Sequence, residues 1–212
     1  MKTFKDRSEA GKLLAKLLFQ YKNDSPVICA IPRGGIPVAN EIANVLNAPL
    51  NLVFIKKIGH PSNKEYAIGA VGIEDYYISS DEDVSPIYIK EEVSRVRERL
   101  NEMKESFLKN SKQTDIKNKV VIIVDDGIAT GKTIAATISV LRKSVPKKII
   151  VATPVASKHS VNKLSEIADQ VITITTPDEL FAIGSFYENF QQLTDEDVID
   201  ILHKRKAVKT AI

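Results

Sequence analysis

Cysteine is nearly missing from this chain, tryptophan is missing altogether, and aromatic residues make up only 6% of it. The single thiol, Cys29, excludes an internal disulfide and a cysteine-based metal cluster. It lies in the apolar run Val27-Ile28-Cys29-Ala30-Ile31, where a buried structural thiol is expected. Long apolar stretches are also lacking: none approaches the roughly 18 residues a membrane span needs. The N-terminal leucines alternate with Lys and Glu instead of forming an apolar targeting core. The expectation is a soluble, cytoplasmic protein. Charge of one sign is scarce too, since 30 Lys and Arg against 27 Asp and Glu leave a net charge of +3. Basic residues cluster only over residues 203–209, which reads as a solvated tail, so no nucleic-acid partner is expected and a small anionic ligand fits better.

What is present is a regular alternation of apolar strands and amphipathic helices. With 212 residues and 43% hydrophobic content, the chain is read as one domain over residues 1–212. Asp6 followed by Glu9 resembles a capping box, and Leu13, Leu14, Leu17 and Leu18 then recur at helical spacing, which predicts a helix over residues 8–21. Residues 27–31 predict a strand covered on both faces. Pro37 suits the first turn of a helix that turns Val38, Ile42, Val45 and Leu46 inward, and residues 50–55 predict the next strand. A loop over 59–66 and a strand pair at 67–73 and 76–78 follow. Val93, Val96, Leu100, Met103 and Phe107 form one stripe on a helix over 85–110. Strands at 120–124, 149–155 and 171–174 alternate with helices at 132–144 and 160–168, and a last helix, capped by Thr194, runs over about 194–206. Such alternation means an α/β fold with a mainly parallel twisted sheet flanked by helices.

In such a sheet, ligands bind beyond the carboxyl ends of the strands. There the segment Val121-Ile122-Ile123-Val124-Asp125-Asp126-Gly127-Ile128-Ala129-Thr130-Gly131-Lys132-Thr133 runs from a strand into a helix. Small residues admit an anion to the backbone, the helix N-terminus favours negative charge, and two threonine hydroxyls add donors. Asp125 and Asp126 add acceptors, of use to a ribose diol and not to a bare phosphate. The plain alternative is a capped tight turn. A Walker loop is excluded by register: three residues separate Gly127 from Gly131, and Asp126 stands where the first Walker glycine belongs.

This apolar-acidic-acidic loop ending in Thr-Gly-x-Thr resembles the signature of type I phosphoribosyltransferases. The resemblance implies that Asp125 and Asp126 bind the ribose hydroxyls of 5-phosphoribosyl 1-diphosphate and stabilise charge on the sugar, while residues 127–133 hold the 5-phosphate. Arg33, Gly34 and Gly35 resemble the family's diphosphate loop. Lys57, after the next strand and beside Lys56, resembles its basic diphosphate residue. A Pro-Gly turn and surface lysines are the alternatives there. Residues 59–66 occupy the place of the closing loop, and His60 within it is more simply a solvated histidine. The segment Ala67-Ile68-Gly69-Ala70 is similar to one in predicted members with an Arg-Gly-Gly loop. Residues 176–192 resemble the hood that binds a nucleobase in purine-salvage members, with Phe181 as the stacking ring and Phe186 or Tyr187 as alternates, packing being the rival reading for each. The strand ending Thr153-Pro154-Val155-Ala156 lacks the lysine of hypoxanthine-guanine members, so the base stays open, with purine favoured. The resemblance further implies Mg2+ held mainly by the substrate diphosphate, and a homodimer is common in such folds. The rival functions are a non-catalytic sensor of phosphoribosyl diphosphate and a hydrolase of ribosyl phosphates.

Overall fold

The computed structural model describes residues 3–78, 83–109 and 112–210. Helix α1 (Arg7–Leu18) starts where Asp6 accepts a hydrogen bond from the Glu9 amide. Its buried face is small-residue rich, Ala10, Gly11 and Ala15 beside Leu14 and Leu18, and a Cβ on Gly11 would lie 2.7 Å from the Val38 carbonyl oxygen. Close approach to α2 (Gly35–Val45) therefore requires glycine there. The α-helical part stops three residues short of the expected end and tightens into a 3₁₀ turn, Phe19–Asp24. Leu17 is exposed, and so is Val45 of α2, against the inward placement its spacing predicts.

Five parallel strands, β1 (Val27–Ala30), β2 (Leu50–Leu52), β6 (Val120–Val124), β7 (Lys148–Val155) and β8 (Gln170–Thr175), form the central sheet in the order β2-β1-β6-β7-β8. Two interior strands, β1 and β6, are buried at every residue, which is why they read as unbroken apolar runs. Ile28, Ala30, Ile122, Val124, Ile150 and Ala152 pack into the core shared with α1 and α2. The alternate residues Val27, Cys29, Val121, Ile123, Ile149 and Val151 pack with Ile134 and Ile138 of α4 (Lys132–Arg142) and Leu164 of α5 (Lys158–Ser165). The strand order reverses between β1 and β6, and their carboxyl ends open the crevice where ligands bind in folds of this kind.

A second, antiparallel sheet holds β3 (Ile55–His60), β4 (Asn63–Gly72) and β5 (Tyr76–Ile78). Two expectations are corrected here. The strand expected over 50–55 ends at Leu52, and buried Val53 and Phe54 carry the chain to the second sheet. The loop expected over 59–66 is the tight end of the β3–β4 hairpin, turning at Pro61 and Ser62 with register shifts around Gly59. Its turn-like composition reflects that tight end, and cross-strand pairing orders the rest. Helix α3 (Pro86–Leu108) buries Val93, Val96, Leu100 and Phe107 as its stripe requires; residue 110, its expected end, lies outside the described residues. Helix α6 (Asp195–Thr210) is capped reciprocally, with the Asp197 amide donating to Thr194 Oγ1 and the Thr194 amide to Asp197 Oδ2. Among the described residues, no helix is long and apolar enough to cross a membrane.

Candidate active site

The loop after β1 and the loop after β6 meet edge to edge. The Ile31 amide donates to the Val124 carbonyl, and the Gly35 amide donates back to Ile31 as α2 begins. The contact is so tight that a Cβ on Gly34 would fall 2.1 Å from Asp126 Oδ2, and one on Gly35 would fall 2.5 Å from the Val124 carbonyl oxygen. Both glycines thus serve close approach to the acidic pair. Arg33 projects from the same loop, exposed, with Asp195 at 3.7 Å.

Beyond the acidic pair, the β6 loop is pinned from the side. The Ile128 amide donates to Val155, the Ser157 amide donates to Ile128, and the Ser157 and Ser160 hydroxyls both donate to the Ala129 carbonyl, at 2.9 and 2.7 Å. Gly131 adopts φ +72°, a left-handed conformation suited to glycine, and α4 then opens without a side-chain cap. Its first-turn amides are the kind of donors an anion satisfies. Residues 127–134, Asp125 and Ile183 line a cleft of about 230 Å³ there. Ala129, Thr130, Lys132 and Thr133 are exposed.

Arg7, Arg33, Gly34, Asp126, Phe190, Gln192 and Leu193 line a second cleft of about 450 Å³. Arg7 Nε donates to Asp126 Oδ2 at 2.7 Å, and Nη1 donates to the Gln191 carbonyl at 2.9 Å. The guanidinium lies 3.8 Å over the Phe190 ring. Sequence reasoning missed Arg7. The one available cue is its place in the first turn of a helix, where a cation opposes the helix dipole and must find another partner. Tyr187 donates its hydroxyl to the Asp126 carbonyl at 2.6 Å. Burial, and next the charge of Asp126, push the Asp125 carboxyl well above the usual carboxylate range, with Arg7 acting in the opposite direction. Burial first, then Asp126, pushes the Tyr187 phenol up.

The remaining sequence candidates divide. Lys57 is exposed on β3, opposite Ala70, and neither it nor Lys56 is among the residues lining the two clefts. The Ser62 amide donates to His60 Nδ1, so that ring serves the hairpin turn. Phe181 is 92% exposed. Phe186 and Tyr187, the alternate stacking rings, are instead buried against Phe4 and Ala10 and offer no free face to a base. A groove of about 1090 Å³ between β5 of the second sheet and α3 includes none of the loop residues.

A crevice at the strand-order reversal of a parallel sheet, with an acidic pair of which Asp125 lines one cleft and Asp126 another, is where an open α/β fold places its ligand site. A family model described as a phosphoribosyl transferase domain matches residues 5–188, and the chain belongs to that family, with the type I phosphoribosyltransferase fold. It is 34% identical over 209 residues to a Mycobacterium tuberculosis protein whose own description as a phosphoribosyl transferase is provisional. That match covers 96% of this chain and 47% of the relative, so the chain spans about half the length of the curated relatives it matches. The crystal structure of a Thermus thermophilus protein, TT1426, has a TM-score of 0.89 at 36% identity, covering 96% of this chain and 99% of that one. A hypothetical protein from Neisseria gonorrhoeae, solved with bound ppGpp, shares the fold at a TM-score of 0.53 and 16% identity, covering 96% and 98%.

Proposed function

We propose that the chain transfers the 5-phosphoribosyl group of 5-phosphoribosyl 1-diphosphate to a ring nitrogen of a nucleobase, purine favoured, releasing diphosphate. The observation that supports this reading is that adjacent acidic residues line two different clefts, Asp125 the one at the α4 N-terminus and Asp126 the one that holds Arg33 and Gly34. One ligand with a phosphate at one end, a diphosphate at the other and a diol between them matches that set of groups. Asp125 and Asp126 then accept from the ribose hydroxyls, and the backbone and hydroxyls of residues 127–133 receive the 5-phosphate. Arg33, with the Gly34–Gly35 turn, meets the diphosphate. Lys57, exposed on β3, is the further basic residue assigned to the diphosphate.

During transfer the C1–oxygen bond to diphosphate breaks with its electron pair leaving on diphosphate, the C1–nitrogen bond forms, and the nitrogen's proton passes to the departing diphosphate or to water. The carboxylates favour the positive charge that develops on the sugar, and catalysis is otherwise positioning. Among the described residues, no group of three or more His, Cys, Asp or Glu side chains could hold a metal ion. The donor set therefore fits Mg2+ that arrives on the substrate, because this ion is commonly bound through substrate phosphates and water, without an all-protein cage. Bound so, Mg2+ would neutralise the leaving diphosphate. Exposed Phe181 is the hood ring available to the acceptor.

The test is incubation with Mg2+, phosphoribosyl diphosphate and a panel of bases, with diphosphate and nucleotide both measured. Base-dependent release of both is expected. Diphosphate or phosphate release without a base would replace transfer with hydrolysis, and binding without turnover would make the chain a sensor. Asp126→Asn should lower kcat/KM about 10- to 100-fold, the worth of a hydrogen bond to a charged group, with the fold intact. Unchanged activity in that variant refutes the assignment.

A further inference from the structure

We propose that Arg7 is a positioning residue for the donor sugar: clamped by the hood, it holds the Asp126 carboxylate in place for the ribose and so ties donor binding to the seating of the hood. The inference rests on the donor reading above. Arg7 and Asp126 form the ion pair at 2.7 Å with each side chain only 11% exposed. The arginine engages Oδ2 and leaves lone pairs on Oδ1 for a hydroxyl. Its own position is fixed by hood residues, the Phe190 ring below the guanidinium and the Gln191 carbonyl at one nitrogen. The hood in turn is sewn to the segment before α1, by the amides of Phe4, Glu188 and Asn189 donating to Phe186, Phe4 and Lys5. Tyr187 holds the Asp126 main-chain carbonyl. Asp126 is thus gripped at both ends by groups that depend on the hood, while Gly34 closes on it from the diphosphate loop. Helix α1 has no need of Arg7, since Asp6 already caps it and a cation in the first turn works against its dipole.

The charged and titratable groups around the acidic pair are Arg7 from α1, Arg33 in the cleft that Asp126 lines, Lys132 in the cleft that Asp125 lines, and the neutral Tyr187 phenol from the hood. Burial and the neighbouring carboxylate raise Asp125, and Arg7 opposes them, so removing the arginine's charge raises Asp125 further. A donor that needs carboxylate acceptors is then lost at a higher pH on the acid side.

The experiment is calorimetric titration of the full chain with Mg2+ and phosphoribosyl diphosphate, from mildly acidic to mildly alkaline pH, with melting curves as a fold control. For Arg7→Gln, Kd should rise about tenfold at neutral pH, the loss widening toward acid. Arg7→Lys should keep the acid limb in place with a smaller loss. Phe190→Leu, which keeps the charge and loosens its seat, should weaken binding with no shift in the limb. Tighter or unchanged binding by Arg7→Gln at every pH overturns the inference. So does an equal, pH-independent loss in the Gln and Lys variants, the mark of a structural role. If Arg7→Gln does not fold, a Lys variant whose acid limb moves upward overturns it. No binding by the unaltered protein would overturn the donor reading itself, an outcome distinct from all of these.

Discussion

Gly34→Ala adds one methyl group to the junction of the two site loops and nothing else. Gly34 has φ −59° and ψ −36°, a right-handed helical conformation that alanine adopts without strain. The new Cβ would lie 2.1 Å from Asp126 Oδ2, 2.6 Å from Cγ and 2.9 Å from Oδ1. Carbon contacts are comfortable only near about 3.5 Å, so the carboxylate must retreat by roughly 1 Å or more. It is the end of a short side chain anchored by Arg7 at 2.7 Å, so the retreat also strains that ion pair. A misplacement of about 1 Å at a reacting site costs about 100-fold, or about 2.7 kcal/mol.

The expected outcome is a loss of that size in donor affinity and kcat/KM. Stability should change little, because a compatible Gly→Ala change lowers the entropy of the unfolded chain and offsets part of the crowding. Donor affinity is measured by calorimetry and stability by thermal melting. A Gly34→Ala protein that binds phosphoribosyl diphosphate as tightly as the unaltered chain refutes the reasoning, since the donor would not then depend on where the Asp126 carboxylate lies.

Gly35→Ala should instead injure the fold: its Cβ meets the Val124 carbonyl oxygen at 2.5 Å and Asp125 Cα at 3.0 Å, main-chain atoms that cannot swing away. Overpacking by about 1–3 kcal/mol lowers the melting temperature by about 2–12 °C in a chain of this size. Cys29, 2% exposed and with its thiol pushed up to about 12 by burial, should resist alkylation in the native protein and react fully in denaturant, as thiol titration will show. Asp125→Asn should abolish donor binding and yet stabilise the fold. The carboxyl is raised in the folded state, so the native protein binds its proton more tightly than the unfolded chain does. Stability therefore falls as pH rises from the ordinary carboxylate range through the raised folded value. The asparagine keeps an acceptor for the Asp126 amide, and its melting advantage should be largest above that window and vanish in acid.

Much of the crevice between β1 and β6 was legible in the sequence because it is local. Strands β1 and β6 announce themselves as apolar runs, being buried on both faces, and the loop after β6 encodes its turn and anion donors within a few residues. The long-range contacts around it were not legible in this way. Arg7 reaches Asp126 across 119 positions, and no periodicity in α1 reports a partner so far along the chain. Phe181, Phe186 and Tyr187 look alike as a short aromatic run, but contacts with Phe4 and Ala10 decide which rings are buried and which is exposed. The β3–β4 hairpin reads as a loop because Pro61, Ser62 and Asn63 signal a turn strongly, whereas the ladder that orders its arms depends on pairing across strands.

The acidic pair is the place where the chain departs from what its own stability favours. Two adjacent carboxyls lie at the carboxyl end of a fully buried strand, one of them desolvated and pushed well above its ordinary range, where a neutral residue would pack without that penalty. The surroundings do not relieve the conflict. Gly34 presses against one carboxylate, Tyr187 occupies that residue's main-chain carbonyl, and a single arginine supplies the compensating ion pair. Local violations of this kind concentrate where a ligand compensates for them, since hydroxyl donors from a bound sugar would satisfy the carboxylates the fold leaves crowded. On this argument the donor's ribose is part of what completes the crevice between β1 and β6, and the protein with donor bound should melt higher than the free chain.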